Sequence, residues 1–152
     1  MIDHPLVKKA LSYATYHHGG QVRKYTGELY INHPIAVAER TSRFVKDPEA
    51  VAAALLHDVV EDTGVILEQI EAVFGETVAG YVWYLTKPPA YVGNREVRKQ
   101  LDRDRLSKAP EVVRLIKVFD LMHNAVSIKE HDPKFWEIFR EESVLLLEAL
   151  DA

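Results

Sequence analysis

The chain has 152 residues, a typical length for one domain and long enough to bury a core without disulfide bonds. Apolar residues make up 47% of it and charged residues 28%, which is the composition of a folded globular protein and argues against disorder. The 19 Lys and Arg against 23 Asp and Glu give a net charge of −4, which disfavours general nucleic-acid binding, and the absence of cysteine excludes disulfides, thiolate chemistry and Cys-ligated zinc.

The spacing of apolar residues is helical along almost the whole chain. From Leu6 to Ala14 they recur at i, i+3, i+4 and i+7, and Gly19-Gly20 ends this first predicted helix. A polar segment, 21–32, follows, and three of the later helices begin with proline at the first helical position. The predicted helices after the first span about 34–45, 48–62, 66–74, 76–85, 95–106, 110–128 and 133–150.

No segment alternates β-branched and polar residues over the length of a strand. We therefore predict an all-α fold, with a single domain over residues 1–152 built as a bundle of about eight helices. The longest apolar runs, such as 50–56, are far shorter than the roughly 20 residues that span a bilayer, and the first residues lack the features of a signal peptide. We expect a cytoplasmic protein with neither a membrane nor a nucleic-acid partner.

A His-Asp pair inside the predicted helix 48–62 is the first candidate for a functional site. His57 and Asp58 lie between apolar stretches, and Glu61 and Asp62 follow them at a spacing of four residues, so the four polar side chains share one helix face. Burying uncompensated carboxylates costs several kcal/mol each unless a cation is present. The pattern therefore predicts a divalent metal ion, and the alternative is that this face is exposed to solvent.

Two further residues complete a candidate set of metal ligands. His33 lies at a predicted helix start after a polar loop, and Asp120 lies in a largely apolar helical run, 115–122. Each alone is explained as well by a buried core histidine or an ion-paired aspartate. Together with His57 and Asp58 they form a mixed nitrogen and oxygen set, which suits Mn²⁺, Fe²⁺ or Zn²⁺ better than an all-oxygen Mg²⁺ site.

Four segments carry a pattern whose order and spacing are recognisable. They are HGGQVRK at 18–24, GELYINHP at 27–34, AALLHDVVEDT at 53–63, and IKVFD at 116–120 with His123-Asn124. Over residues 10 to 130 the chain resembles the HD superfamily of metal-dependent phosphohydrolases, and within it the hydrolase domain of RelA/SpoT-type alarmone enzymes. No synthetase domain follows, so the resemblance is to the stand-alone small alarmone hydrolases.

The resemblance implies roles for particular residues. It implies that His33, His57, Asp58 and Asp120 bind a metal ion, usually Mn²⁺, although another divalent transition metal is an alternative. Glu61 and Asp62 then correspond to the acidic pair that positions and activates the attacking water. The residues that correspond to substrate contacts are Arg23, Lys24 and Asn124.

The charged helix 95–106 has two interpretations. One is a solvated helix stabilised by ion pairs, which is usual for such a composition. The other is that Arg95, Arg98 and Lys99 face the substrate phosphates and close over them, in which case Arg103 and Arg105 matter less.

Two positions depart from the family pattern. Leu29 stands where proline is usual, which changes the stiffness of its loop. Phe119 stands where a small residue usually precedes the aspartate, which adds bulk beside a metal ligand and near the substrate pocket. The second departure bears on the substrate more than on the fold.

We expect a Mn²⁺-dependent pyrophosphohydrolase that removes the 3′-pyrophosphate of (p)ppGpp-type alarmones, small-molecule nucleotides, to give GDP or GTP and pyrophosphate. One alternative is the same chemistry on another nucleotide, namely ppApp, NADPH or a nucleoside monophosphate. The other is a module that binds an alarmone without hydrolysing it.

Overall fold

Nine α-helices make up most of residues 3–151, the part of the chain that the computed structural model describes. They are α1 (Pro5–His18), α2 (Asn32–Phe44), α3 (Pro48–Leu56), α4 (Val59–Asp62), α5 (Leu67–Phe74), α6 (Glu76–Leu85), α7 (Arg95–Ser107), α8 (Glu111–His131) and α9 (Pro133–Asp151). A single 3₁₀ turn, Ala90–Val92, precedes α7, and these residues form no strand. The prediction of an all-α fold is confirmed. The predicted domain spans residues 1–152, of which Met1, Ile2 and Ala152 lie outside the described part.

The helix starts follow the local chemistry of the sequence. Asp47 precedes Pro48 and its carboxylate accepts a hydrogen bond from the Glu49 N–H at 3.0 Å. Asp132 precedes Pro133 and accepts from the Phe135 N–H at 3.1 Å. At α2 the helix begins two residues before Pro34, which lies within the first turn, where its missing N–H breaks no helical hydrogen bond.

The predicted helix 48–62 is interrupted, which is the main difference from the sequence prediction. Helix α3 ends at Leu56, and the one-turn helix α4 begins at Val59. The Ala54 carbonyl accepts a hydrogen bond from Nδ1 of His57 at 2.6 Å, so the imidazole competes for the acceptor that a continuous helix offers to the Asp58 N–H. His57 and Asp58 therefore lie in a tight turn between two helices and not along one helix face.

Helix α3 lies at the centre of the domain. Its residues from Ala50 to Leu56 are all buried, and it packs against α1, α2, α6 and α8. Four of these residues are alanine, whose small side chains let the neighbouring helices approach closely. The turn that carries His57 and Asp58 thus follows directly on the most buried helix.

None of the helices within residues 3–151 has the length and apolar character needed to cross a membrane.

A first prediction concerns the core. Replacing Ile70, which has no exposed surface on α5, with Ala is expected to lower the free energy of unfolding by about 2–5 kcal/mol through lost burial and a residual cavity. Ile138 on α9 is 49% exposed, so its replacement with Ala should change stability by only about 0.5 kcal/mol. Urea denaturation of both variants measures the difference, and equal losses would contradict this assignment of the core.

Candidate metal centre and adjoining pockets

Four side chains from three parts of the fold converge beside α3. His33 comes from the start of α2, His57 and Asp58 from the turn after α3, and Asp120 from the middle of α8. One ligand atom from each lies within 4.8 Å of the other three. Nε2 of His33 is 2.8 Å from Oδ1 of Asp120, and Nε2 of His57 is 3.0 Å from Oδ2 of Asp58 and 3.4 Å from Oδ1 of Asp120. The structure therefore brings together the four residues that the sequence singled out.

The two imidazoles are oriented for coordination through Nε2. His57 is held by the hydrogen bond from its Nδ1 to the Ala54 carbonyl, and Nδ1 of His33 lies 2.7 Å from Nδ1 of His123. Nε2 of His57 is buried and has no hydrogen-bond partner among residues 3–151. This ring nitrogen is buried, has no hydrogen-bond partner and faces two carboxylates, which is the arrangement of a cation site. The residues present therefore fit a divalent metal ion.

The charges of this cluster also favour a cation. Burial raises the pKa of Asp58, but His57 and His33 together lower it by more, so the carboxyl is ionised at neutral pH. Burial likewise raises the pKa of Asp120, and Lys117, His33 and His57 together hold it well below its usual value. For His57, burial lowers the pKa, and Asp58 and Asp120 together raise it well above its usual value. The two carboxylates thus attract positive charge to this cluster, and a divalent ion would take the place of the His57 proton.

Two residues to which the sequence assigned no role, and one that it assigned to the substrate, hold the two carboxylates in place. Lys117, buried on α8, donates from Nζ to Oδ2 of Asp120 at 2.9 Å, and Asn124 donates to Oδ1 of the same carboxylate at 3.1 Å. The hydroxyl of Tyr30 donates to Oδ2 of Asp58 at 2.6 Å. Lys117 had a signal in the sequence, because a lysine in an apolar helical run needs a buried anion and Asp120 follows it by three residues.

The acidic pair lies on α4, next to the cluster. Glu61 and Asp62 are exposed to solvent and are not among the four residues whose ligand atoms converge. Glu61 accepts a hydrogen bond through Oε1 from the backbone N–H of Lys87. Partial loss of hydration and the nearby Asp58 carboxylate raise the pKa of Glu61 to about 7, and the same two causes raise that of Asp62.

One adjoining pocket collects three of the predicted substrate contacts, and we call it the Arg23 pocket. It has a volume of about 150 Å³, and its lining includes Arg23, Lys24, Tyr25 and Asn124. Arg23 donates to Oδ1 of Asn124 at 3.3 Å, and its Nε lies 3.8 Å from Oε1 of Glu28. Because these partners draw its guanidinium inward, Arg23 is buried and is not the surface loop residue that its polar segment predicts.

A second pocket, which we call the Lys99 pocket, shares Asn124 with the Arg23 pocket and extends to Asp120. Its lining combines four cationic and three acidic side chains, which are Lys87, Lys99, Arg103 and Lys117 and Asp102, Asp120 and Glu142. Helix α7 presents Lys99 and Arg103 to this pocket because residues four apart lie on the same face. Burial and repulsion by Lys87 lower the pKa of Lys99 to about 8.

The structure does not bring Arg95 and Arg98 to this pocket. Arg95 forms a two-point ion pair with Glu142 of α9, at 2.7 and 2.8 Å, and lies over the ring of Phe135. Arg98 is not part of the pocket lining, whereas Arg103, which we expected to matter less, is. Arg105 donates to the carbonyls of Trp83 and Thr86, so it holds α7 against α6.

The two departures from the family pattern lie away from the metal cluster. Leu29 is 52% exposed and pairs with Val22 in an isolated antiparallel bridge. Phe119 packs against Phe44 of α2, with 5.5 Å between the ring centres, and lines neither the Arg23 pocket nor the Lys99 pocket. Successive residues of α8 point in directions about 100° apart, so the bulk of Phe119 faces α2 and not the side of Asp120, and its expected effect on the substrate stays a prediction.

Curated relatives resemble this chain over most of its length. A guanosine-3′,5′-bis(diphosphate) 3′-pyrophosphohydrolase MESH1 from Drosophila melanogaster is 34% identical over 141 residues, which cover 90% of this chain and 78% of that protein. The MESH1 of Xenopus tropicalis is 33% identical and is covered to 75%. A probable guanosine-3′,5′-bis(diphosphate) 3′-pyrophosphohydrolase from Synechocystis sp. is 37% identical over 86% of this chain, but the chain spans only 18% of its length.

A solved structure and a family model agree with these relatives. The structure is that of a metazoan ortholog of SpoT that hydrolyzes ppGpp; it matches with a TM-score of 0.81 and 28% identity, over 99% of this chain and 85% of its own. The family model described as HD domain matches residues 10–143. Because this match covers most of the residues and the MESH1 proteins are matched over three quarters of their length, the chain belongs to the HD domain family, in the group that includes MESH1.

Proposed function

We propose that the chain is a Mn²⁺-dependent pyrophosphohydrolase that removes the 3′-pyrophosphate of (p)ppGpp-type alarmones and yields GDP or GTP with pyrophosphate. The observation that carries this proposal is the convergence of His33, His57, Asp58 and Asp120 next to an acidic pair and to a pocket with four cationic side chains in its mixed lining. It is supported by MESH1 relatives that are named for this reaction. A single domain over residues 1–152 and a cytoplasmic location belong to the same proposal.

In this proposal His33, His57, Asp58 and Asp120 hold the metal ion. Two imidazoles and two carboxylates suit Mn²⁺, and His123, Lys117 and Tyr30 keep three of these ligands oriented. When bound, the ion polarises the phosphoryl oxygen and makes water more acidic.

Glu61 and Asp62 position the attacking water. The Lys87 N–H fixes the carboxylate of Glu61, and partial loss of hydration keeps its pKa above that of an ordinary carboxyl, which makes it the stronger base. The Asp58 carboxylate contributes to the raised pKa, and a cation bound there would offset that contribution, so Glu61 would be ionised and able to accept a proton at the working pH. Its role is therefore that of a general base on the solvent side of the cluster.

The two pockets bind different parts of the substrate. The Lys99 pocket, with four cationic side chains next to Asp120, offsets the charge that develops on the leaving pyrophosphate. The Arg23 pocket takes the nucleoside, with the guanidinium of Arg23 against the base and the ammonium of Lys24 at the rim.

A substrate panel tests this proposal. The full chain is assayed with Mn²⁺ on ppGpp, ppApp, NADPH and nucleoside monophosphates, each with a chelated control. We expect the highest kcat/KM on a guanosine 3′-pyrophosphate and none in the chelated samples. Higher kcat/KM on NADPH or on monophosphates would contradict the assigned substrate, and tight ppGpp binding without turnover would favour the non-catalytic module.

Replacing Arg23 with Ala should affect both binding and stability. Loss of its contact with the base is expected to lower kcat/KM by at least about tenfold, mostly through KM. Because Arg23 is buried and its hydrogen bond to the half-buried Asn124 is lost, the free energy of unfolding should fall by about 1–3 kcal/mol. Arg140, exposed on α9 and paired with Glu137, is the matched control, and its replacement with Ala should change neither quantity. Equal effects of the two replacements on kcat/KM and on stability would show that Arg23 is not part of the substrate site.

The pH dependence should show the ionisation of Lys99. Its pKa of about 8 means that Lys99 is charged below this pH and becomes neutral above it. A polyanionic substrate then loses one attractive charge, so kcat/KM should fall as the pH rises through about 8, while kcat changes less because bound phosphate restores the proton. In Lys99→Arg, which stays charged, this fall should be absent; an identical profile in the variant would mean that another group is responsible.

A further inference from the structure

A third cavity, which we call the α2–α8 groove, has no role in the proposed reaction. It has a volume of about 320 Å³, which is within the range of small-molecule sites. It shares no lining residue with the Arg23 pocket or the Lys99 pocket. Arg40 and Arg43 come from α2, and Phe119 and His123 come from α8.

Two cations in this groove have no anionic partner. Arg40 and Arg43 lie one turn apart on α2 and are both exposed. Within residues 3–151 neither guanidinium forms an ion pair. Two guanidinium groups at this spacing offer several N–H donors to one phosphate group, which is the anion that arginine side chains bind best in a bidentate manner.

The same groove offers an apolar wall and one acceptor. Met122 and Val126, which are 46% and 67% exposed, form the accessible part of this wall, whereas Phe119 is 7% exposed and the guanidinium of Arg40 lies 5.9 Å from its ring centre. The exposed carboxylate of Glu39 lies on the lining beside the two arginines. A simple inorganic anion uses the arginines alone, whereas a ligand with a phosphate, an aromatic ring and an amino or imino donor uses all three features. A nucleoside monophosphate has this combination.

His123 connects the groove to the metal cluster. Its ring lines the groove, lies 4.9 Å from the His33 ring, and has its Nδ1 2.7 Å from Nδ1 of His33. A ligand that moves His123 therefore changes the hydrogen bond that orients a metal ligand.

We propose that the α2–α8 groove is an effector site for a nucleoside monophosphate. Binding is independent of the proposed hydrolysis, and only the expected effect on metal affinity rests on the proposed function. The phosphate binds Arg40 and Arg43, the base packs against Met122 and Val126, and occupancy acts on His33 through His123.

The test uses the ¹⁵N-labelled full chain titrated with GMP and, separately, with inorganic phosphate. We expect GMP to shift the backbone amides of Ala36, Arg43 and Val126, and inorganic phosphate to bind these positions at least about tenfold more weakly. In Arg43→Glu the affinity of the groove for GMP should fall at least about tenfold, whereas Arg140→Glu and Arg23→Ala should keep it. Saturating GMP should also change the Mn²⁺ affinity of the wild type but not that of Arg43→Glu.

Several results would overturn this inference. GMP shifts confined to the amides around Arg23 and Asn124, or shifts that persist in Arg43→Glu, would mean that the groove is not the site. Shifts of the groove amides that grow with protein concentration in the absence of GMP would mean that a second copy of the chain covers it. GMP binding in the groove with an unchanged Mn²⁺ affinity would overturn the effector role. Because binding is read without turnover, a failed alarmone assay leaves this test unaffected.

Discussion

Replacing Glu61 with Gln is expected to lower kcat by roughly 10²–10⁴-fold, because a neutral amide cannot accept the proton of the attacking water. The metal content should stay that of the wild type, since Glu61 lies outside the four converging ligands and is fixed by the Lys87 N–H, for which an amide oxygen is also an acceptor. Single-turnover hydrolysis of ppGpp and elemental analysis of the same sample measure the two quantities.

Glu68→Gln is the matched control for this change. Glu68 lies exposed on α5 and forms no ion pair within the described residues, so removing its charge should leave both turnover and metal content unaltered. The role of Glu61 would have to be abandoned if Glu61→Gln kept the wild-type kcat. Loss of the metal ion together with turnover would make Glu61 a ligand and not a base.

Replacing Asp58 with Asn or Ala is expected to remove the metal ion and turnover together. Asp58 contributes a carboxylate oxygen 3.0 Å from Nε2 of His57, and without its charge the remaining ligands hold a divalent ion poorly. The metal content should fall from about one ion per chain to a small fraction of that value. Asp58→Asn keeps the size of the side chain and an acceptor for Tyr30, so it separates the loss of charge from a loss of structure.

Circular dichroism and elemental analysis of Asp58→Asn measure this prediction, with Asp104→Asn on the exposed side of α7 as the control. We expect native helix content in both variants and a full metal complement in the control alone. Retention of an equimolar metal ion by folded Asp58→Asn would show that Asp58 is not a ligand.

Much of the fold was predictable because its signals are local. Proline at helix starts, the Asp47 and Asp132 caps and the periodic apolar residues each act within one or two turns, and the helices follow them. The break at His57 was not predictable from periodicity, because it arises from a side chain that competes for the Ala54 carbonyl.

The metal ligands of the candidate site were predictable because charged residues are costly to bury. The cationic contacts were less predictable because they depend on ion-pair partners that are distant in sequence. The His57-Asp58 pair after an apolar helix indicated a cation, and the resemblance to the HD superfamily implied the four ligands, whereas the acids Glu61 and Asp62 are exposed. The choice between Arg95 and Arg103 depended on Glu142, which lies 47 residues beyond Arg95 and whose pairing no local pattern reveals. Lys117 was missed, although its apolar neighbours indicated a buried anion, because its partner Asp120 was already assigned to the metal.

The most direct test of the central claim is ion-exchange chromatography of the products that the full chain forms from ppGpp, first with equimolar Mn²⁺ and then with excess EDTA. We expect the 3′-pyrophosphate to leave intact, so that GDP and pyrophosphate appear together with Mn²⁺, stop appearing with EDTA, and reappear when Mn²⁺ is restored. Hydrolysis that continues in EDTA, or release of inorganic phosphate in place of pyrophosphate, would contradict the claim.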